Sequence, residues 1–528
     1  MFKKIILIAV FCLLAFVRLY KLGSVPSGLY VDEAVAGYNA WSIAQTGADE
    51  YGMKWPVFLR SFGVFPAPLY TYVTSVCVKL FGLDNFSVRL PSVLSGLGLL
   101  IAIYLILKEF GVGFTERIVA ISLAGLSPWM LMMSRTGTEG HLSLMIVTFA
   151  VLLALRANKN NYYWLGFLVL LGLASYAYQG ARPIALGYLI FFSLWKIREL
   201  GKMWVIGLAV FILMLIPQFK LVGLPAFSQR GTGLFYWEAA KRNSFTYEFM
   251  SQATSYFSPY SLFWRGDEDL QRSMPGVSHF VSVFFIFYLL GWGKLLKKLK
   301  SDQGKVFLIL AIVGVTVPAM TRDPFSATRG QFLILPITII MIWGYSFLVE
   351  ILGKKKSVII FILLNLWGLI WVWRSLFVLL PFERGYVWGY GMKELANEIK
   401  SRPEETFVVE QRRQSPIYIQ LLYELRYPTV LYQATQKTQG YYTNTNYDLG
   451  REFGNIKIHD IEWKKDIYLN QILVGDELSI SDDQAKEHYL DKIFEIRDPV
   501  GKILFVGYRT NPSKKKIAEE IMLLKKTY

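Results

Sequence analysis

The chain has 528 residues, of which 54% are hydrophobic and only 18% charged, and it carries a formal net charge of +17 with a mean hydropathy of +0.36. Soluble globular chains carry about 25% charged residues, so the composition excludes an ordinary soluble enzyme and points to a polytopic membrane protein. The positive excess reads as Lys and Arg gathered in cytoplasmic loops rather than a nucleic-acid surface, and two cysteines, Cys12 and Cys77, both in apolar segments, exclude a disulfide framework.

The first element is the apolar stretch MFKKIILIAVFCLLAFVRLYKLG. No small-x-small cleavage site follows its apolar run, and Arg18 and Lys21 close it. It reads as an uncleaved first span with Lys3 and Lys4 inside, not as a signal peptide. Further apolar runs follow, and the predicted spans are 5–22, 88–107, 117–134, 140–156, 162–178, 183–197, 203–219, 278–293, 306–320, 331–351 and 358–379. The segment Phe65–Gly82 is apolar too, but at about 1.5 Å per residue it falls short of a ~30 Å hydrocarbon core. If it spans, the clusters at Lys108 and Arg117, at Arg156 and Lys159, and at Lys196, Arg198 and Lys202 fall outside. If it lies on the outer surface, these clusters fall inside together with Lys294–Lys300 and Lys354–Lys356. Only the second arrangement satisfies the positive-inside rule, so the segment is predicted to be a juxtamembrane helix.

After Pro381 the composition becomes water-soluble. GMKELANEIK reads as a helix, TFVVEQ as a strand, SPIYIQLLYEL as a helix, QILVGDEL as a strand, and DKIFEIRDPVGKILFVGYRT as a hairpin turning at Asp-Pro-Val-Gly. The basic amphipathic end, KKKIAEEIMLLKKTY, reads as a solvated terminal helix, with a membrane-surface anchor as the alternative. The predicted fold is an all-α polytopic membrane protein of about eleven transmembrane helices plus juxtamembrane helices, followed by a C-terminal soluble α/β domain. Residues 1–380 form the membrane domain, with outer loops 23–87 and 220–277, and residues 381–528 an extracytoplasmic domain. The N-terminus is cytoplasmic in this arrangement. No Gly-rich phosphate loop, zinc spacing or internal repeat is present, which argues against a nucleotide-driven pump.

This topology gathers unusual polar groups on one face. Asp32 and Glu33 begin the first outer loop, and Glu139 lies in the next outer turn beside Arg135 and His141. Arg182 follows in the turn that starts at Tyr178, and Arg322, Asp323 and Arg329 precede the tenth span. Asp267, Glu268 and Asp269 sit in the large outer loop. Each has a structural reading: Asp32, Glu33 and Glu139 as helix-start carboxylates, Arg329 as a snorkelling side chain, His141 as a packed histidine, and the Asp-Glu-Asp run as solvated loop. Together they suit an interfacial reaction. A carboxylate at the membrane edge can take a proton from a hydroxyl, and arginines can hold a phosphate and stabilise it as a leaving group. Tyr30, Trp41, Phe65, Tyr70 and Tyr178 would accommodate a lipid chain and a sugar face.

Several stretches resemble one family. GLYVDEAVAGYNAWSIAQTGADEYGMKWPVFL, FPAPLYTYVTSVCVKLFGLDNFSVRLPSVLSGLGLL and LSPWMLMMSRTGTEGHLSLM look like the GT-C glycosyltransferases of the protein O-mannosyltransferase type (family 39) and its bacterial relatives, the lipid A aminoarabinose transferases. SYAYQGARP, YFSPYSLFWRGDEDLQRSMPG and DPFSATRGQFLILP look like the bacterial branch, and the resemblance runs from about Ile5 to Trp388. It implies a donor sugar on a polyprenyl phosphate, transfer on the outer face with inversion, and Asp32 as the catalytic base. Glu139 takes the place where many relatives have Asp. Some relatives carry a phosphate-contacting Lys where this chain has Phe65, so that contact falls to Arg329 or Arg322. The chain leaves no room for the β-trefoil insertion of the eukaryotic mannosyltransferases and therefore looks bacterial or archaeal. The candidate catalytic residues are thus Asp32, Glu33 and Glu139. The candidate donor and substrate contacts are Arg329, Arg322, Arg135, Arg182, Tyr70 and Tyr178. A divalent cation between the carboxylates stays open, and no ligand spacing demands a metal. The expected partners are a polyprenyl-phosphate-linked sugar, membrane lipids, and an acceptor protein, glycan or lipid. A lipid or polysaccharide transporter or flippase is the alternative and would call for a two-sided path with ionisable or broken-helix features near mid-membrane, of the kind built from inverted repeats. A non-catalytic scaffold would tolerate replacement of Asp32, Glu139 and Arg329.

Overall fold

The structure, a computed structural model, describes residues 1–227, 244–323, 325–412, 416–436, 438–443 and 451–527. Part of the predicted outer segment 220–277, residues 228–243, lies outside this set.

Each predicted span overlaps a helix, but 117–134 is two helices and the α-helix of 278–293 begins only at Phe285. The helices are α1 (Phe2–Leu19), α4 (Asn85–Glu109), the pair α5 (Phe114–Gly125) and α6 (Pro128–Arg135), α7 (Glu139–Arg156), α8 (Tyr162–Ala177), α9 (Ala181–Leu200) and α10 (Lys202–Phe219). After the short surface helix α11 (Phe245–Ser255) come α12 (Phe285–Lys298) and α13 (Asp302–Ala319), then α14 (Ala327–Leu352) and α15 (Lys354–Glu383). Among the described residues six of these are long and apolar enough to cross a membrane unaided, or seven if the bent α5–α6 pair is one span. The others are shorter or carry more charge. The pair bends by 61° where Pro128 cannot continue the helix; Ser127 caps the new start by accepting the Met130 N–H at 3.2 Å. Glycines let the bundle close up. A Cβ on Gly291 of α12 would lie 2.0 Å from the Ile340 carbonyl oxygen, and one on Gly344 of α14 only 1.8 Å from that of Phe287, so the two backbones touch.

The basic turns meet at one end. Arg156 and Lys159 both pair with Glu109, Lys196 donates to Asn158, and Lys294 pairs with Glu350. The first loop covers the opposite end with α2 (Val31–Thr46) and α3 (Pro68–Phe81). Pro68 starts α3 and Gly82 ends it, giving 14 residues, about 21 Å of helix. Val76, Leu80 and Phe81 leave an apolar stripe exposed along it.

The C-terminal segment forms a six-stranded mixed sheet in the order β2-β3-β1-β4-β6-β5. Its strands are β1 (Phe407–Val409), β2 (Arg451–Phe453), β3 (Ile456–Ile458), β4 (Ile472–Gly475), β5 (Asp491–Arg497) and β6 (Ile503–Arg509), with helices α16 (Met392–Lys400), α17 (Ile417–Leu425) and α18 (Thr429–Ala434). β1 runs parallel to β3 and β4, and β5–β6 is the predicted hairpin. The sheet does not stand apart. Ala34, Tyr38 and Ala40 of α2 share one buried cluster with Phe407, Ile417, Leu421 and Ile472. Polar bonds stitch the seam: Tyr38 donates to the Tyr427 carbonyl at 3.0 Å, and Gln420 to that of Leu29 at 2.8 Å.

Candidate active site

A cavity of about 920 Å³ opens at the end of the bundle opposite the basic turns. Its wall takes Tyr30 and Asp32 from the start of α2, Thr136–Gly140 from the turn into α7, Tyr178–Pro183 from the turn into α9, and Arg272, Thr321, Arg329 and Trp388 from later segments.

Asp32 lies in the first turn of α2, exposed and on the cavity wall, where the positive end of the helix dipole favours a carboxylate. The chain before it is pressed onto the linker to the sheet; a Cβ on Gly28 would come 2.1 Å from the Trp388 carbonyl oxygen. Glu33, one residue on, is 1% exposed. It borders the cavity, but both its oxygens are engaged. One takes the Arg89 Nε at 2.8 Å and the Gly137 N–H at 2.7 Å; the other takes Arg89 Nη2 at 2.9 Å and the Tyr30 N–H at 3.2 Å. Arg89 spends its remaining donors on the carbonyls of Leu22, Pro26 and Gly28. The Glu33–Arg89 pair therefore fixes α2, α4 and the turn before α7, and only Asp32 of the two adjacent carboxylates is open to the cavity.

Glu139, at the first position of α7, faces the same cavity and accepts the Ala67 N–H at 3.1 Å. Arg182 enters from the start of α9, sandwiched between the rings of Phe58 at 4.6 Å and Phe227 at 4.8 Å. Its Nη1 reaches the Phe227 carbonyl at 3.4 Å, while its Nε and Nη2 are buried with no hydrogen-bond partner among the described residues. Arg329, on the first turn of α14, lines the cavity and is held by Thr321 at 3.1 Å and by Asp323.

Three expected contacts do not reach the cavity as expected. Arg135 is fully buried behind it, donating to the carbonyls of Val17 and Arg18 at 2.8 and 2.7 Å and of Tyr20 and Val25 at 2.9 and 3.0 Å. A guanidinium at the C-terminal end of α1 satisfies orphan carbonyls and the negative end of that helix dipole. Arg322 is exposed and off the cavity wall. Tyr70 borders the cavity, but its hydroxyl donates to the Val88 carbonyl at 2.8 Å and lies 3.0 Å from Ser92 Oγ, a packing role. Tyr178 does line the wall. At Phe65 the backbone carbonyl, not the side chain, is used: Gln179 donates to it.

Arg272 escaped the sequence reading. It lines the cavity, pairs with Asp269 at 3.1 Å and is half-buried. Burial disfavours its charge, but Asp269, Tyr178, Asp32 and Asp267 more than offset this and hold its pKa above the ordinary arginine value. Its neighbours in the Asp-Glu-Asp run are not simply solvated loop. Asp267 accepts the Ala327 N–H at 2.7 Å and so caps the turn bearing Arg329; burial raises its carboxyl pKa. The acidic run next to Gln-Arg was the available signal. Among the described residues no three His, Cys, Asp or Glu side chains group as a metal site would need.

The helical bundle thus carries loop helices at one end, a charged cavity beneath them and a mixed sheet packed against α2. Residues 66–219 match the family model described as dolichyl-phosphate-mannose-protein mannosyltransferase. Over almost its whole length the chain is similar to ArnT from Cupriavidus metallidurans in the apo state, with a TM-score of 0.54 and 14% identity over 96% of this chain and 98% of that one. ArnT bound to undecaprenyl phosphate gives 0.51 and 13% over 95% and 97%. The Archaeoglobus fulgidus oligosaccharyltransferase, in complex with Zn and sulfate, gives 0.51 and 14% over 94% of this chain and 72% of that one. No curated protein sequence matches the chain. At these identities the likeness is one of fold.

Proposed function

We propose that the protein transfers a sugar from a polyprenyl-phosphate donor to an acceptor hydroxyl at the outer face of the membrane. The observation that carries this is a single cavity combining an exposed carboxylate, Asp32, and a second at Glu139 with three arginines, Arg182, Arg272 and Arg329, in a largely apolar wall. Asp32 accepts the proton of the acceptor hydroxyl as its oxygen attacks the anomeric carbon. The bond from that carbon to the phosphate oxygen breaks, and polyprenyl phosphate leaves with the negative charge it gains. The arginines stabilise that charge as it develops. A single displacement of this kind inverts the anomeric centre. Glu139 and Tyr178 border the sugar. Among the described residues the Nε and Nη2 of Arg182 make no hydrogen bond, and they are donors an anion would satisfy, because a buried guanidinium N–H left unpaired is costly. The undecaprenyl phosphate bound by ArnT is the donor lipid this reading favours, and the acceptor is a protein, glycan or membrane lipid.

Purified protein in detergent, given undecaprenyl-phosphate-linked sugars and an envelope extract, is expected to release undecaprenyl phosphate. Asp32→Asn is expected to lower transfer by about 10²–10⁴-fold while the melting temperature holds; a folded variant with full activity overturns the assignment. Arg182→Gln removes charge-assisted bonds of about 1.5–3 kcal/mol, so undecaprenyl phosphate should bind roughly 10–100-fold more weakly in a titration.

A further inference from the structure

One wall of the cavity is a tight hairpin from the first loop. Leu59 donates to the Pro66 carbonyl at 3.2 Å, and Ser61 and Val64 exchange backbone bonds at 2.9 and 2.8 Å. The tip is Phe62 at φ 37 and Gly63 at φ 80. Positive φ is ordinary for glycine but strained for a bulky residue such as Phe. Such a tip persists only where its surroundings over-determine it.

The surroundings are three tyrosines that lie 350 or more residues further along the chain, in the C-terminal domain. The Tyr418 hydroxyl accepts the Phe62 N–H at 3.2 Å and donates to Glu50. The Tyr441 hydroxyl accepts the Arg60 N–H at 2.7 Å and donates to Asp49. The Tyr442 hydroxyl accepts the Val57 N–H at 3.0 Å. On its other side the hairpin meets the reaction cavity: Phe62, Val64 and Pro66 line it, and the Ala67 N–H and Phe65 carbonyl bond to Glu139 and Gln179. Phe58, in the stem between Val57 and Arg60, is one of the two rings that sandwich Arg182.

We propose that Tyr418, Tyr441 and Tyr442 are positioning residues of the active site: they lock the 57–66 hairpin so that Phe58 holds the Arg182 guanidinium where the donor phosphate binds. The C-terminal domain is then a working part of the donor site, and a shift of the sheet moves Arg182. The naming of Arg182's ligand rests on the function proposed above; the hold on the hairpin does not.

The test uses the full chain in detergent with Tyr442→Phe, Tyr441→Phe and the triple Phe variant, all of which keep the rings and hence the packing. Two readouts are taken, amide hydrogen exchange and titration with undecaprenyl phosphate. Exchange is expected to rise at least tenfold at Val57 in Tyr442→Phe, at Arg60 in Tyr441→Phe, and at Val57, Arg60 and Phe62 in the triple variant, with the transmembrane helices unchanged. Affinity for undecaprenyl phosphate is expected to fall about three- to tenfold in the triple variant, and a double cycle with Arg182→Gln should show that the two losses do not add. Unchanged exchange at these amides overturns the proposal, whatever the protein transfers. Raised exchange with unaltered affinity, or losses that add, also overturns it, because Arg182 then does not depend on the hairpin. If the wild type binds no undecaprenyl phosphate, the proposed function falls and the Arg182 assignment with it.

Discussion

Asp32 and Glu33 are neighbours with opposite fates, and the helix geometry decides between them. Successive residues on a helix point about 100° apart, so one carboxylate meets the cavity and the other meets Arg89. Removing one partner of such a buried pair leaves the other charge uncompensated, at roughly 3–5 kcal/mol. Glu33→Gln is therefore expected to lower the melting temperature of the purified protein sharply, whereas Asp32→Asn leaves it in place and removes activity. An equal loss of stability in the two would show that Arg89 is not what Glu33 is for. The sequence marked Asp32, Glu139, Arg182 and Arg329 because each stands at the end of an apolar run, and alternation of the spans puts those ends on one face. It misjudged Arg135 because a turn position says nothing about direction: this side chain points back at the carbonyls that end α1. Arg272 was missed because its loop has no periodicity from which a face could be inferred.

Loops rather than spans build the site, and they are tuned by burial. Asp49, in the loop before the hairpin, accepts the N–H groups of Tyr51 and Met53 and the Tyr441 hydroxyl. Burial pushes its pKa from the ordinary 3.8 up to about 6, against the downward pull of those bonds and of Arg60. The folded state thus holds this proton more tightly than the unfolded chain does. The stability Asp49 contributes is full below about pH 4, declines as pH rises toward 6, and is flat beyond; one pKa unit is worth about 1.4 kcal/mol. Asp49→Asn should flatten the pH dependence of the melting temperature between pH 4 and 6, and an unchanged slope would remove Asp49 from the account. The bounds of α3 were legible from sequence because Pro66 and Pro68 stand at its start and Gly82 at its end. The hairpin at 59–66 was not legible, since a Phe at the tip departs from the Asn-Gly and Asp-Gly signals that announce such turns. Strands β2 and β3, three residues each, are too short to show alternation.

At the scale of the whole molecule, the apolar spans and the soluble tail could be read from hydropathy, but the seam between tail and first loop could not. Contacts between segments nearly four hundred residues apart leave no periodic mark in either. The seam makes the tail indispensable: α2 is buried along most of its length partly by α17 and the sheet. A chain ending after Glu383 is expected to expose that face, to aggregate on size exclusion in detergent and to bind no donor; a monodisperse, donor-binding truncation would show that α2 needs no cover. The same seam sets a clock. Tyr38 waits for Tyr427, 389 residues later, and at roughly 5–20 residues per second that stretch takes about 20–80 s to synthesise. During that interval the rest of the helical bundle is made while the face of α2 still waits for its cover, so the seam closes only after every helix of the bundle has left the ribosome.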